Sequence, residues 1–125
     1  MGIMQDRSQR KPSGGMNKGS RPKRLHMAGD VPSLTVIGEL RVKHKSTKGG
    51  SSKKALLAVD TVNLYNPKTK KYSKAKIKMV KESASNRNYV RRNIMTKGTV
   101  IETEKGLARI TSRPGQEGSI SAILI

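Results

Sequence analysis

Tyr72-Ser-Lys-Ala-Lys-Ile-Lys-Met-Val80 alternates charged and apolar side chains over its whole length. Lys74, Lys76 and Lys78 fall on one side of an extended chain, and Ala75, Ile77 and Met79 on the other. A period of two is the mark of a strand with one face packed and one face in solvent. The packed face demands a partner layer, so the stretch predicts a β-rich domain whose outer wall carries a ladder of ammonium groups.

The neighbouring segments agree with that prediction. Upstream, Asn66-Pro67-Lys-Thr-Lys-Lys71 is a turn, and Ala55 to Tyr65 reads as a strand. Leu57, Val59 and Thr61 share one face of it, and Val62 and Leu64 the other, which predicts a bulge near Asp60. Residues 45–54 form a flexible cationic loop around Lys48-Gly-Gly50, and Leu34 to Arg41 is a β-branched strand bent at Gly38. Downstream, Lys81 to Arg92 is polar enough for a short helical turn starting near Ser83 or Ser85. Strands follow at Thr99–Thr103, Leu107–Thr111 and Ser119–Leu124, separated by turns at Glu104-Lys-Gly106 and Arg113-Pro-Gly-Gln-Glu-Gly118. Turn signals every 8–12 residues or so favour a small barrel or sandwich over a βαβ fold. The expected fold is mainly β: a six-stranded, barrel-like domain over residues 34–125 with a long extended N-terminal arm over residues 1–33.

The arm differs in texture. Arg7, Arg10, Lys11, Lys18, Arg21, Lys23 and Arg24 are spaced by Pro12, Ser13, Gly14, Gly15, Gly19 and Pro22, with Asp6 the one acid before Asp30. So few apolar residues cannot offset the entropy of ordering, so the arm is expected to be extended until a partner fixes it. A solubilising tail would share this composition. Cations mixed with permissive glycines are also what a chain following a phosphate backbone needs.

Charge decides between partner classes. The 125 residues hold 27 Lys and Arg against eight Asp and Glu, a net charge of +19. Such a domain repels itself and is expected against a polyanion. A membrane-surface helix would present Trp, Phe or Leu on one face, yet the chain has no Trp and no Phe. Its longest apolar run, Ala55 to Val59, is far short of the ~20 residues that span a bilayer. With no cysteine and no apolar leader, the chain reads as soluble and cytoplasmic, with no membrane partner.

Catalytic constellations are missing. His26 and His44 have no second ligand at metal-binding spacing, and the glycine pairs do not match phosphate-loop spacing. Glu102 and Glu104 share a strand face, and a surface pair answering Lys105 and Arg109 accounts for them more simply than paired acid catalysis. No cofactor, metal or small-molecule substrate is expected. The chemistry that remains is recognition. The candidate RNA-binding residues are Arg7, Arg10, Lys11, Gly14, Gly15, Lys18, Arg21, Lys23 and Arg24 in the arm, with Lys48, Lys53 and Lys54 in the loop. Arg87, Asn88, Arg91, Arg92, Lys97 and Arg113 complete the set, with Asn86, Asn93 and Gln116 among them. Arginine grips phosphate in two-pronged fashion, and amide side chains read base edges or ribose hydroxyls. Tyr89 fits either stacking on an unpaired base or anchoring in the core.

Two blocks, Tyr89-Val-Arg-Arg-Asn-Ile-Met-Thr-Lys-Gly-Thr-Val-Ile-Glu-Thr-Glu104 and Thr111-Ser-Arg-Pro-Gly-Gln-Glu-Gly118, closely resemble the small-subunit ribosomal protein family numbered eight in the archaeal–eukaryotic series, in its short archaeal form. Arg7-Ser8 with Lys11-Pro-Ser-Gly-Gly15, Gly29-Asp30 and Lys48-Gly-Gly50 extend the resemblance along the whole chain. Ser51 and Glu82-Ser-Ala-Ser-Asn86 depart from the family's pattern. The resemblance implies a non-enzymatic constituent of the small ribosomal subunit, a monomer within it, holding small-subunit rRNA beside neighbouring ribosomal proteins and supporting assembly and translation. An architectural DNA- or chromatin-binding protein is the alternative that shares the charge.

Overall fold

In the computed structural model, residues 8–19, 22 and 24–125 are described. The chain divides into two compact units, Met1–Pro32 and Ser33–Ile125. The second is mainly β. Its strands are β1 (Thr35–Ile37), β2 (Arg41–Ser46), β3 (Ser52–Val59), β4 (Thr61–Asn66), β5 (Lys71–Glu82), β6 (Ile94–Met95), β7 (Val100–Thr103), β8 (Gly106–Ile110) and β9 (Ser121–Leu124). One helical turn, α1 (Arg87–Arg91), lies between β5 and β6. Strands β4-β5-β7-β8-β9 close a five-stranded barrel, and β2-β3-β1-β6 form a second sheet. There are thus nine strands among the described residues where six were expected, because two of the expected strands divide and one short strand, β6, has no expected counterpart.

The first division is at Gly38. The single strand expected over Leu34–Arg41 becomes β1 and β2, which flank β3 from opposite sides, β1 parallel to it and β2 antiparallel. The second is at Asp60, where the expected bulge is a full corner: β3 belongs to the second sheet and β4 to the barrel. The Asp60 carbonyl accepts from the Ile77 amide at 2.8 Å and holds that corner to β5. The bulge that switches faces lies three residues earlier. Arg41 opposes Ala58 and Val42 opposes Leu56, so Leu57 is the extra residue of β3. Ala55, Leu56, Ala58 and Val59 are consequently buried on both sides of it. The third difference is β6, two residues that pair with β1 and carry no strand signal of their own. The cationic loop is also shorter than expected. Only Thr47–Ser51 turns, closed by the Thr47 amide and hydroxyl on the Ser51 carbonyl at 2.8 and 2.9 Å. Gly49 and Gly50 take φ of 83° and 79° there, conformations glycine reaches without strain.

Strand β5 closes the barrel by serving two neighbours. Its first half, Lys71 to Lys76, pairs with β4, and Ile77 to Glu82 pairs with β7. Ile77 opposes Thr103 and Met79 opposes Glu102, so Lys78 is an extra residue; a second shift follows between Val80 and Glu82. Bulges bend a strand and sharpen its twist, which a five-stranded barrel requires. They also flip the side-chain alternation. Met79, expected on the packed side, is 44% exposed, and Val80 takes the inward position.

A single apolar core joins the two sheets. Val62, Leu64, Ile77, Val80, Ile101, Ile110 and Ile120 of the barrel region pack with Leu56 and Val59 of β3 and Met95 of β6. Thr35, fully buried, donates its hydroxyl to the Leu56 carbonyl at 2.7 Å, so the one polar side chain of β1 inside the fold is satisfied.

In the first unit, none of the described residues is buried. Residues 9–17 nevertheless fold back on themselves. Arg10 and Met16 form an antiparallel bridge, the Asn17 amide donates to Gln9 at 2.7 Å, and Arg10 Nη1 donates to the Gly14 carbonyl at 2.9 Å. This stretch of the arm is therefore a tight turn rather than an extended strand, built from backbone bonds that need no core.

Candidate nucleic-acid interface

Helix α1 is placed by its uncharged residues. Asn86 caps it, accepting from the Asn88 amide at 2.9 Å. Val90 packs on the core, and Asn93, at φ 49°, ends the turn while its Oδ1 accepts from the Val80 amide of β5 at 3.2 Å. The helix therefore starts after Asn86, later than Ser83 or Ser85. Its charged residues and Asn88 face outward: Arg87, Asn88, Arg91 and the capping Arg92 are exposed. Arg87 and Arg91 stand four residues apart on one helix face, a like-charge spacing that costs an isolated helix a few tenths of a kcal/mol. Among the described residues no carboxylate pairs with any of them, so nothing there offsets that cost. Tyr89 is half-buried, and Val90 rather than Tyr89 supplies the contact with the core.

The turn between β6 and β7 joins this group. The Ser85 hydroxyl lies 3.0 Å from that of Thr96, which is itself 3.0 Å from Thr99 Oγ1. This chain of hydroxyls ties the entry to α1 to the turn that carries exposed Lys97.

A second group forms around the β2–β3 hairpin. Lys45 lies directly opposite Lys53, and His44 opposite Lys54. In the Lys45–Lys53 pair, like charges face each other directly across the strands, an arrangement unfavourable by itself. The Arg113–Gly118 turn packs beside them: the Leu56 amide donates to the Pro114 carbonyl at 2.9 Å, and Lys53 Nζ reaches Gln116 Oε1 at 3.5 Å. A Cβ on Gly118 would stand 3.2 Å from Lys54 Cβ and Cδ, so the absence of a side chain there lets the Lys54 stem lie on the turn. Lys53, Lys54 and Arg113 are thus exposed where the Arg113–Gly118 turn meets the turn end of the hairpin, with Lys48 exposed at its tip.

Among the arm residues, Arg10, Lys11, Gly14, Gly15, Lys18 and Arg24 are exposed. Arg7, Arg21 and Lys23 lie outside the described residues. Glu102, expected to answer Lys105 and Arg109, instead pairs with Lys81 of β5 at 3.0 Å, because β5 and not β8 places a cation beside it. Among the described residues no three metal-ligating side chains stand together, and no helix is long and apolar enough to cross a membrane.

These features define a small, strongly cationic β-barrel domain whose arginines and lysines are presented outward by a neutral scaffold. Residues 4–125 match the model of the ribosomal protein S8e family. The small ribosomal subunit protein eS8 of Picrophilus torridus is 50% identical over 125 residues, covering both chains in full. Those of Methanocorpusculum labreanum and Methanobrevibacter smithii are 47% identical over 123 residues, 98% of each chain, and 44% identical over 125 residues, all of each chain. The chain belongs to the ribosomal protein S8e family.

Proposed function

We propose that this protein is a non-enzymatic structural constituent of the small ribosomal subunit in the cytoplasm, and that its two outward cationic groups and its arm hold small-subunit rRNA. Membership of the S8e family, with full-length relatives named as small-subunit proteins, supports the ribosomal role. The observation that carries the RNA contact is the α1 group: three exposed arginines with no carboxylate partner among the described residues, on a helix anchored by Val90, Asn86 and Asn93. A scaffold that holds unneutralised cations outward gains by placing them on phosphate and releasing the counterions condensed there. The arm, residues 1–33, adds a second strand of contacts, and residues 34–125 form the body. Neighbouring small-subunit proteins complete its surroundings.

The test is retention of small-subunit rRNA by the full chain from 50 to 300 mM KCl, with duplex DNA of equal length as competitor. If about 6–10 phosphates are engaged, log affinity falls against log salt with a slope of roughly −5 to −9. A slope near zero, or equal preference for the DNA, refutes the proposal; the second outcome favours an architectural DNA-binding protein.

A further inference from the structure

The outer face of the β4–β5 ribbon lies outside the groups described above. Register fixes which side chains share it: Thr61 opposes Lys76, Asn63 opposes Lys74, and Tyr65 opposes Tyr72. Tyr72, Lys74 and Lys76 are exposed and lie on this face, and Lys78 follows at the bulge. The two tyrosine rings lean on each other with centroids 4.9 Å apart and planes tilted by 40°. Tyr65 is half-buried, whereas Tyr72 is 79% exposed. A tyrosine braced by a second ring while most of its own surface stays in water is a platform with one face unused.

Charge indicates what the platform would receive. Lys74 and Lys76 have no carboxylate partner among the described residues, and neither have Lys68, Lys70 and Lys71 of the adjoining turn. Successive outward residues of a strand stand about 7 Å apart. An extended polynucleotide presents both groups that such a face lacks: a base for the ring and consecutive phosphates for the ammonium groups. Ile123 of β9, opposite Tyr65 and 40% exposed, borders the ring and would suit an apolar protein side chain as well. A protein knob would leave the lysines unanswered, so RNA is the better match.

We propose that the β4–β5 ribbon is a separate contact for single-stranded RNA, in which Tyr72 stacks on one unpaired base while Lys74 and Lys76 hold the flanking phosphates. This rests on the rRNA reading above but uses other residues, so the two can fail independently. The test uses the full chain and small-subunit rRNA, with Tyr72→Ala, Tyr72→Phe and the double variant Lys74→Gln/Lys76→Gln. Tyr72→Ala is expected to weaken binding about 5- to 150-fold, the range for loss of one base stack, with the salt slope unchanged. Tyr72→Phe should stay within about twofold of the parent, because a phenyl ring still stacks. The lysine variant should make the slope shallower by about 1.4, at roughly 0.7 per single-strand phosphate. If Tyr72→Ala binds like the parent while Arg87, Arg91 and Arg92 variants do not, this contact is refuted and the general reading survives. If Tyr72→Ala keeps its rRNA affinity but is lost from assembled small subunits, the ribbon docks a protein and the proposal is equally overturned.

Discussion

Replacing Arg87, Arg91 and Arg92 together by Gln separates the electrostatic account from a structural one. The three side chains are exposed, and the helix that carries them is held by Val90 and by the Asn86 and Asn93 hydrogen bonds. Arg and Gln have nearly equal helix propensity, so the substitution leaves the free protein's stability unchanged or raises it by about 0.2–0.5 kcal/mol as the Arg87–Arg91 repulsion disappears. Binding should respond differently. Each phosphate released from a cation flattens the log–log salt dependence by about 0.7–0.9, so three contacts amount to a change of roughly 2–3. Over the decade from 1 M to 0.1 M salt, that slope difference opens into a gap of about 10²- to 10³-fold in affinity for rRNA, with the two lines converging at high salt. Fluorescence anisotropy on a labelled small-subunit rRNA fragment from 0.05 to 0.5 M KCl measures both lines, and thermal unfolding of the free variant supplies the control. Parallel lines would show that these arginines do not meet phosphate. A large fall in melting temperature would show that they belong to the fold.

Other perturbations test how the scaffold is held. Deleting residues 1–24 should preserve cooperative unfolding, because the buried residues among those described all lie between Thr35 and Ala122, and should weaken rRNA binding; a non-cooperative melt would make the arm part of the fold. Leu64→Ala, at a fully buried position of β4, should cost about 2–5 kcal/mol in denaturant titration, and a loss below 1 kcal/mol would mean the barrel closes over the gap. Asn93→Ala removes both a side chain suited to φ 49° and the acceptor for the Val80 amide. About 1–3 kcal/mol should be lost, and an unchanged midpoint would rule out Asn93 as the pin of α1. Gly118→Ala pushes a Cβ against the Lys54 stem and should cost about 1–3 kcal/mol unless the turn yields, in which case the midpoint does not move.

Much of the fold could be read from periodicity. The Tyr72–Val80 alternation, the Asn66–Lys71 turn and the three C-terminal strands all stand close to where the pattern puts them. The shortfall in strand number has one physical origin: partners that only the folded chain defines. Ala55 to Tyr65 is continuous in β-forming residues, yet its hydrogen bonds go to β1 and β2 before Asp60 and to β5 and β9 after it. Partner choice is non-local and leaves no mark on local composition. The bulges at Leu57 and Lys78 belong to the same class, since an extra residue is defined only against the strand opposite. Met79 shows the consequence, as a perfect alternation in sequence becomes a flipped side chain once β7 sets the register.

The cations were legible and their grouping was not. Composition identifies a polyanion partner, but the sequence separates Lys54 from Arg113 by more than half the domain, and only the packing of the Arg113–Gly118 turn on β3 brings them together. The same holds for Tyr65 and Tyr72. Each is an isolated aromatic in a chain of 125 residues with only three tyrosines, which weakens any case for a stacking surface made from composition. The hairpin register pairs two of the three, and the alternation of β5 sets Tyr72 on the same side as Lys74 and Lys76. A strand that must alternate to build a barrel thus also arranges its outward residues at regular intervals. In this domain the requirement for closure and the spacing of a cationic, aromatic face are met by the same period of two.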